Sequence, residues 1–237
     1  MDLVIDTISK QSLVALGERG RLVSKIIWPS DYKQSEELLV KIDELLQANK
    51  AEQEDLTGVV VVNGPGSYTG IRVGVSTGNA LGFTLGVSVV GVSYLDVLAG
   101  WAVGEVDKDL AAEFVGSLSD GGKFVTLVNS VADKYYYGVY KERRNKIKLI
   151  GDYGNNTLEN ILEKKKGISY VVGEIDENAE KNLRDDILLL STDYSREGVA
   201  ERLVELGGEE LAGVAKNSLC EPLYINQPNI TPPKKRV

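Results

Sequence analysis

The run VVVVNGPGSYTGIRVGVSTGNALGFTLG, residues 59–86, limits the possible folds more than any other stretch. An apolar strand enters a Gly-Pro-Gly turn, and the turn opens a helix. Within that helix Gly70, Gly74, Gly78 and Gly82 recur at every fourth residue. Each glycine in a helix interior costs about 1 kcal/mol relative to alanine, so four cost roughly 3–4 kcal/mol unless a close contact offsets them. Positions four apart drift slowly around a helix and form one stripe, and a stripe without side chains admits another backbone at short range. Its length suggests helix-on-helix packing, against an amphipathic helix at 36–49 or against a second protein chain. Packing inside the domain is the plainer alternative.

The turn itself resembles a phosphate loop. Pro65 pushes Gly64 away from helical geometry, Gly66 is free to take a positive φ, and Ser67 or Thr69 can cap the helix. A Walker A loop, however, needs lysine after its last glycine; Thr69 stands five residues after Gly64 and no lysine follows. The spacing of Gly64, Gly66 and Gly70 loosely matches a dinucleotide fingerprint. That fingerprint belongs after the first strand and leads to an acid about twenty residues on. Here three strands precede it, and the next acid, Asp96, lies beyond another strand.

Around this unit the pattern is regular. LVIDT (3–7), SLVAL (12–16) and RLVSKIIW (21–28) read as an antiparallel meander. Ser35 is placed to cap a helix with Glu36 and Glu37 in its first turn and an apolar stripe of Leu38, Leu39, Ile42, Leu45 and Leu46. GVVVV (58–62) is apolar on both faces, as a central strand covered by helices should be. A strand at 87–92 and a helix at 94–103 complete the series. A looser join at about 104–123 precedes a second meander (124–130, 135–140, 146–153), a helix at 157–166, strands at 168–173 and near 187–191, and a helix at 196–207. The order of elements partly recurs. This predicts an α/β chain of ribonuclease-H-like or actin/Hsp70-like ATPase fold, with two related α/β halves and mixed sheets. The halves fall at 1–103 and 104–225, followed by an extended, proline-rich tail at 226–237.

Several chemistries are excluded. The 237 residues include no histidine, which removes Ser-His-Asp and Cys-His catalysis and His-ligated metal sites. Cys220 is the only cysteine, so no intramolecular disulfide forms, and with no signal peptide a cytoplasmic location is expected. The net charge of −8 is shared evenly, with 8 basic and 12 acidic residues before 104 and 19 and 23 after, so neither half is a basic module. Residues 73–95 carry no charge, but their glycines, Ser, Thr and Asn79 make a membrane span too polar; a buried helix and strand are expected.

Gly64-Pro65-Gly66-Ser67-Tyr68-Thr69-Gly70-Ile71-Arg72-Val73-Gly74, with GVSYLDVLA (91–99), resembles the TsaB (YeaZ) family, whose signature is close to G-P-G-S-F-T-G-L-R-x-G. LVIDT, SEELLVKIDELL (35–46) and EPLYINQPNITPPKK (221–235) match further family segments; between 100 and the tail the resemblance is faint. The resemblance implies a non-catalytic scaffold subunit in making tRNA threonylcarbamoyladenosine. Such a subunit pairs with the TsaD transferase through its first two helices, is joined by the TsaE ATPase, forms a homodimer through the same surface when alone, and meets tRNA through the complex. On this reading the partner interface comprises Gly70, Gly74, Gly78, Gly82, Arg72, Leu39, Ile42 and Leu46. There is no catalytic residue, metal or cofactor beyond a nucleotide weakly held between partners, and no membrane.

The rival reading is an actin-like ATPase or small-molecule kinase, holding a nucleotide phosphate with Asp6, Thr7, Gly64, Gly66 and Ser67. Such sites use an aspartate at each of two strand ends, and the second strand ends in Asn129-Ser130, where TsaB relatives often have Asp-Ala-Arg. A ribonuclease-H-type nuclease wants a carboxylate after the fourth strand, where Asn63 stands. Gln34 replaces a frequent family histidine. Outside these motifs, Lys141, Arg143, Arg144, Lys146 and Lys148 surround a hairpin turn beside several tyrosines, Lys164–Lys166 close a helix, and Lys234, Lys235 and Arg236 end the tail. Solvated surface is the plain reading of all three, and RNA contact the sharper one for the hairpin and the tail.

Overall fold

The computed structural model describes residues 1–30, 33–105, 122–143, 146–173, 175–181, 183, 187–190 and 196–226. Most of the expected join at 104–123, Arg144 of the basic hairpin and nearly all of the tail lie outside them.

The first half is a five-stranded sheet in the order β3-β2-β1-β4-β5. Its strands are β1 (Asp2–Asp6), β2 (Gln11–Glu18), β3 (Arg21–Pro29), β4 (Gly58–Gly64) and β5 (Ser88–Ser93), with helices α1 (Gln34–Ala48), α2 (Tyr68–Leu85) and α3 (Tyr94–Glu105). The meander is antiparallel, and β4 and β5 add in parallel. The second sheet runs β11-β10-β6-β7-β8, with β9 on β7. It comprises β6 (Lys123–Asn129), β7 (Tyr135–Arg143), β8 (Lys146–Leu149), β9 (Gly154–Asn156), β10 (Ile168–Gly173) and β11 (Leu188–Leu190). Helices α4 (Leu158–Lys164), α5 (Glu177–Lys181) and α6 (Arg196–Gly213) fall in the same half of the chain. An antiparallel meander extended by two parallel strands occurs in both sheets, so these are two α/β halves of the actin-like fold.

The run of valines in β4 follows from double coverage. Val59 and Val61 meet α2 on one face, while Val60 meets Gly207 of α6 on the other. All of Val59–Val62 is fully buried. α6 follows the second sheet in the chain yet packs across β1 to β5 of the first, with Val204 against Gly17 and Leu211 against Gly58. It runs six residues beyond the expected end at 207, because Gly207 is a contact point over Val60 and not a stop. The first helix also begins earlier than expected. Lys33 is its N-cap, without a side-chain hydrogen bond, and Ser35 lies inside it.

The second sheet has two apolar faces as well. Val125, Leu127 and Val139 pack with Leu158 and Ile161 of α4. The other face turns toward α3 with a stack in which the Phe124 ring lies 4.6 Å from that of Tyr170 and 5.5 Å from that of Tyr140.

Candidate functional site

The strand–loop–helix unit is built from the end of β4. Gly64 has φ +134°, and a Cβ there would stand 2.5 Å from the Leu223 carbonyl oxygen, so only glycine fits. The positive φ falls at Gly64 and not at Gly66; Gly66 instead lies against Ile8. The Gly64–Pro65 peptide is cis. Ser67 caps α2, its hydroxyl accepting the Gly70 N–H at 3.3 Å.

The glycine stripe faces inward. A Cβ on Gly70 would enter the Thr7 carbonyl, one on Gly74 would stand 2.7 Å from Thr7 Oγ1, and one on Gly78 would stand 2.5 Å from Val61 Cγ2. A Cβ on Gly82 would overlap Val89. The missing side chains let α2 lie directly on β1, β4 and β5, so the close approach that offsets the glycine cost is to the domain's own sheet. This corrects the expectation that the four glycines meet a partner. Ile42 and Leu46 are 3% exposed and belong to the same core, since α1 turns them onto β2 and β3. Of the expected interface residues only Leu39 and Arg72 are exposed. Beside Leu39, at 58% exposure, the outer face of the two adjoining helices presents further apolar groups: Phe83 at 83%, Val40 at 54% and Tyr68 at 45%. The Arg72 guanidinium lies 5.5 Å from the centre of the Tyr68 ring, which pairs with Tyr224 at 5.2 Å. Period alone shows that a helix has two faces. Phe83, Val40 and Tyr68 could have been named once the inner face was fixed.

The polar groups of the possible phosphate site are engaged internally. Asp6 is fully buried, and its carboxylate accepts the Ile8 N–H at 3.0 Å and the Ser9 hydroxyl at 3.2 Å. Thr7, also fully buried, donates its hydroxyl to the Gly70 carbonyl at 2.7 Å and so ties the end of β1 to the first turn of α2. Over the loop passes the segment after α6. The Leu223 N–H donates to the Asn63 carbonyl at 2.8 Å, Asn63 Nδ2 donates to the Glu221 carbonyl at 2.9 Å, and Asn79 both donates to and accepts from the Cys220 backbone at 2.9 Å. At the matching strand end of the second half, Asn129 is exposed and uncharged. Among the described residues no group of three or more His, Cys, Asp or Glu side chains is arranged to hold a metal, and no helix is long and apolar enough to cross a membrane.

One cluster was not foreseen. Asp96, in the first turn of α3, accepts hydrogen bonds from the hydroxyls of Tyr140 on β7 and Tyr153, both at 2.7 Å. Burial, followed by the Asp96 charge, raises the Tyr140 hydroxyl far above its usual range. For Tyr153, burial raises the hydroxyl most and Asp96 adds to the shift, while Ser93 opposes it. The carboxylate thus binds the first half to the second. The only sequence signal was a lone acid after a long uncharged stretch.

The family model for tRNA N6-adenosine threonylcarbamoyltransferase (TsaD) matches residues 28–149, just over half of the chain. The tRNA threonylcarbamoyladenosine biosynthesis protein TsaB of Bacillus subtilis is 25% identical over 192 residues, covering 78% of this chain and 76% of that protein. In fold, the chain is similar to a Pseudomonas aeruginosa protein described by its similarity to peptidase YeaZ, with TM-score 0.71, 21% identity and coverage of 95% of this chain and 99% of that one. It is likewise similar to YeaZ from Pseudomonas aeruginosa, with TM-score 0.69, 20% identity and coverage of 94% and 98%. The sequence motif, the shared fold and the family match converge: the chain belongs to the threonylcarbamoyltransferase-related family that this model describes, and within it to the TsaB (YeaZ) group.

Proposed function

We propose that this chain works in the biosynthesis of threonylcarbamoyladenosine in tRNA as a non-catalytic, cytoplasmic subunit. It pairs with a TsaD-like transferase through the outer face of α1 and α2, the pair recruits a TsaE-like ATPase, and the chain self-associates through the same face when alone. The observation that carries this reading is the division of labour across α2. Its inner side and the ends of β1 and β4 are consumed in internal contacts, with the Asp6 carboxylate and the Thr7 hydroxyl both buried and hydrogen-bonded. Its outer side leaves Phe83, with Leu39 and Val40 of α1, exposed to water. Apolar side chains grouped on one exposed face favour a protein partner.

The test is reconstitution. The chain alone is expected neither to hydrolyse ATP nor to modify tRNA, and a TsaD-like transferase is expected to need it. A Phe83→Glu/Leu39→Glu double variant should weaken pairing about 100-fold, in line with the loss of one or two interface anchors, without lowering the melting temperature. Full transferase activity in the absence of the chain overturns the proposal. The ATPase or kinase alternative requires Asp6 to leave its present partners. Tight magnesium-dependent ATP binding by the isolated chain, abolished in Asp6→Asn, would establish it instead.

A further inference from the structure

The register of the second sheet assembles lysines that the sequence keeps apart. Lys123 of β6 stands directly opposite Lys141 of β7, and Lys141 stands directly opposite Lys148 of β8. Residues paired in this way point to the same face, and neighbouring strands lie about 4.8 Å apart. The three ammonium stems therefore form one row across three strands. Lys146, two residues before Lys148, shares its face. Exposure follows the same alternation, with Lys146 and Lys148 exposed and Ile147 and Leu149 half-buried between and after them.

A second basic segment reaches the same end of the sheet. Lys164, Lys165 and Lys166, all exposed, close α4 and lead into β10, whose first residue, Ile168, is the backbone partner of Lys123. None of these seven lysines makes an ion pair among the described residues. Of the nearby acids, Glu142 occupies the alternate position on β7, opposite Ile147, and Glu163 precedes the α4 lysines.

This arrangement opposes the general character of the chain, whose net charge is −8. Like charges placed directly opposite on adjacent strands destabilise a sheet. Sheet and helix packing do not call for the row either, because the apolar core of this half lies further along the strands at Val125, Leu127 and Val139. A row of flexible cations at single-strand spacing is complementary to a polyanion with a charge every few ångströms.

We propose that this rim, formed by the starts of β6, β8 and β10 and the end of β7, is a contact surface for the phosphate backbone of tRNA; the assignment rests on the chain's working in tRNA modification. Its contact is to the backbone, since cations that meet phosphates position a nucleic acid without reading its sequence. It lies on the second half, away from the outer face of α1 and α2, so that partner pairing and RNA contact use different surfaces.

The experiment is a titration of an unmodified tRNA transcript against the full chain paired with its TsaD-like transferase, at salt from 50 to 200 mM. The test variant is Lys141→Glu/Lys148→Glu. The control is Lys134→Glu/Lys216→Glu, an equal charge change at exposed positions away from the rim. Size-exclusion chromatography reads pairing, and thermal melting reads the fold. The rim variant is expected to bind tRNA about tenfold or more weakly at 50 mM salt. Its salt slope should be shallower by roughly 1.5, the share of two phosphate contacts. Pairing and melting should stay unchanged, and the control should bind as the unaltered chain does.

A rim variant with unaltered affinity and slope, or a control that weakens binding equally, overturns the rim alone. Loss of pairing without loss of tRNA affinity marks a protein contact and overturns the RNA assignment. Failure of the unaltered chain to pair with the transferase overturns the subunit reading and the rim with it.

Discussion

The two halves of this molecule share one topology and differ in how it is covered. β3-β2-β1-β4-β5 and β8-β7-β6-β10-β11 are the same path through a meander and two parallel strands. Even the special backbone recurs. Gly64 ends β4 with φ +134° beneath the Leu223 carbonyl, and Gly173 ends β10 with φ +137° against the Leu127 carbonyl. The helices following the corresponding strands do not match. α1 and α2 have 15 and 18 residues, whereas α4 and α5 have 7 and 5. Sheet topology and turn geometry are thus independent of helix length. Long helices drawn down onto the first sheet bury its central strands β1 and β4 and offer a second, outer face. The second sheet carries shorter helices, and the lysine row stands at the starts of β6 and β8 and the end of β7. One scaffold, covered in two ways, presents an apolar face on one half and a basic rim on the other.

The sharpest way to break this comparison is to force α2 off its sheet. Gly78→Leu would place a branched side chain where even a Cβ stands 2.5 Å from Val61 Cγ2, on a strand that is fully buried. Overpacking of a tight core costs about 1–3 kcal/mol and more when the obstacle cannot move. The gain of about 1 kcal/mol in helix propensity does not offset it. We expect a loss of about 4 kcal/mol or more, seen as failure to fold or as a collapse of the urea midpoint. A well-folded Gly78→Leu protein that had merely lost its partner would restore the stripe to the interface and sink the geometry described above.

A smaller effect tests whether the halves act together. Asp96→Ala removes the acceptor of two tyrosine hydroxyls reaching from the second half, each bond to a charged group contributing about 1.5–3 kcal/mol. The expected loss is about 3 kcal/mol. The single unfolding transition should split, with the first half melting above the second. One unchanged cooperative transition would show that α3 and α6 hold the halves together without the carboxylate.

Much of the fold was legible in the residues. The valines of β4 announced a strand covered on both faces, and both meanders and most helices fall where periodicity puts them. What failed was direction. A period of four glycines identifies a smooth stripe but does not say which neighbour fills it. The answer lay in β4: a strand apolar on both faces needs two covers, and α2, which follows it at once, must supply one. The same ambiguity hid the end of α6, where Gly207 reads as a stop signal and is a seat for Val60. The stripe of α1 leaves the direction of Ile42 and Leu46 open for the same reason. The Asp96 cluster and the lysine row were illegible for another reason. They join residues up to 57 positions apart in the first case, and depend on strand register in the second.

The smallest expected effect concerns a feature of the first half without counterpart among the described residues of the second, the segment crossing β5 and the Gly64 loop. Its Cys220 is 5% exposed. Burial pushes the thiol up from 9.0 to about 11; the nearby Glu221 charge adds to the shift, and Asn63 opposes it. A group whose folded value is raised holds its proton more tightly in the native state. Its stabilising contribution is therefore complete below about pH 9 and is lost as pH rises through 11. The loss by pH 10 amounts to about 1 kcal/mol. The buried hydroxyls of Tyr140, Tyr153 and Tyr170 are raised as well, and they join the decline as pH approaches their ordinary value of 10.0. Urea midpoints measured between pH 8 and 10 should thus fall more steeply for the unaltered chain than for Cys220→Ala, whatever the absolute stability of that variant. Parallel slopes for the two proteins would mean that the segment already opens in the native state, and that the cover over the Gly64 loop is looser than its hydrogen bonds to Asn63 and Asn79 imply.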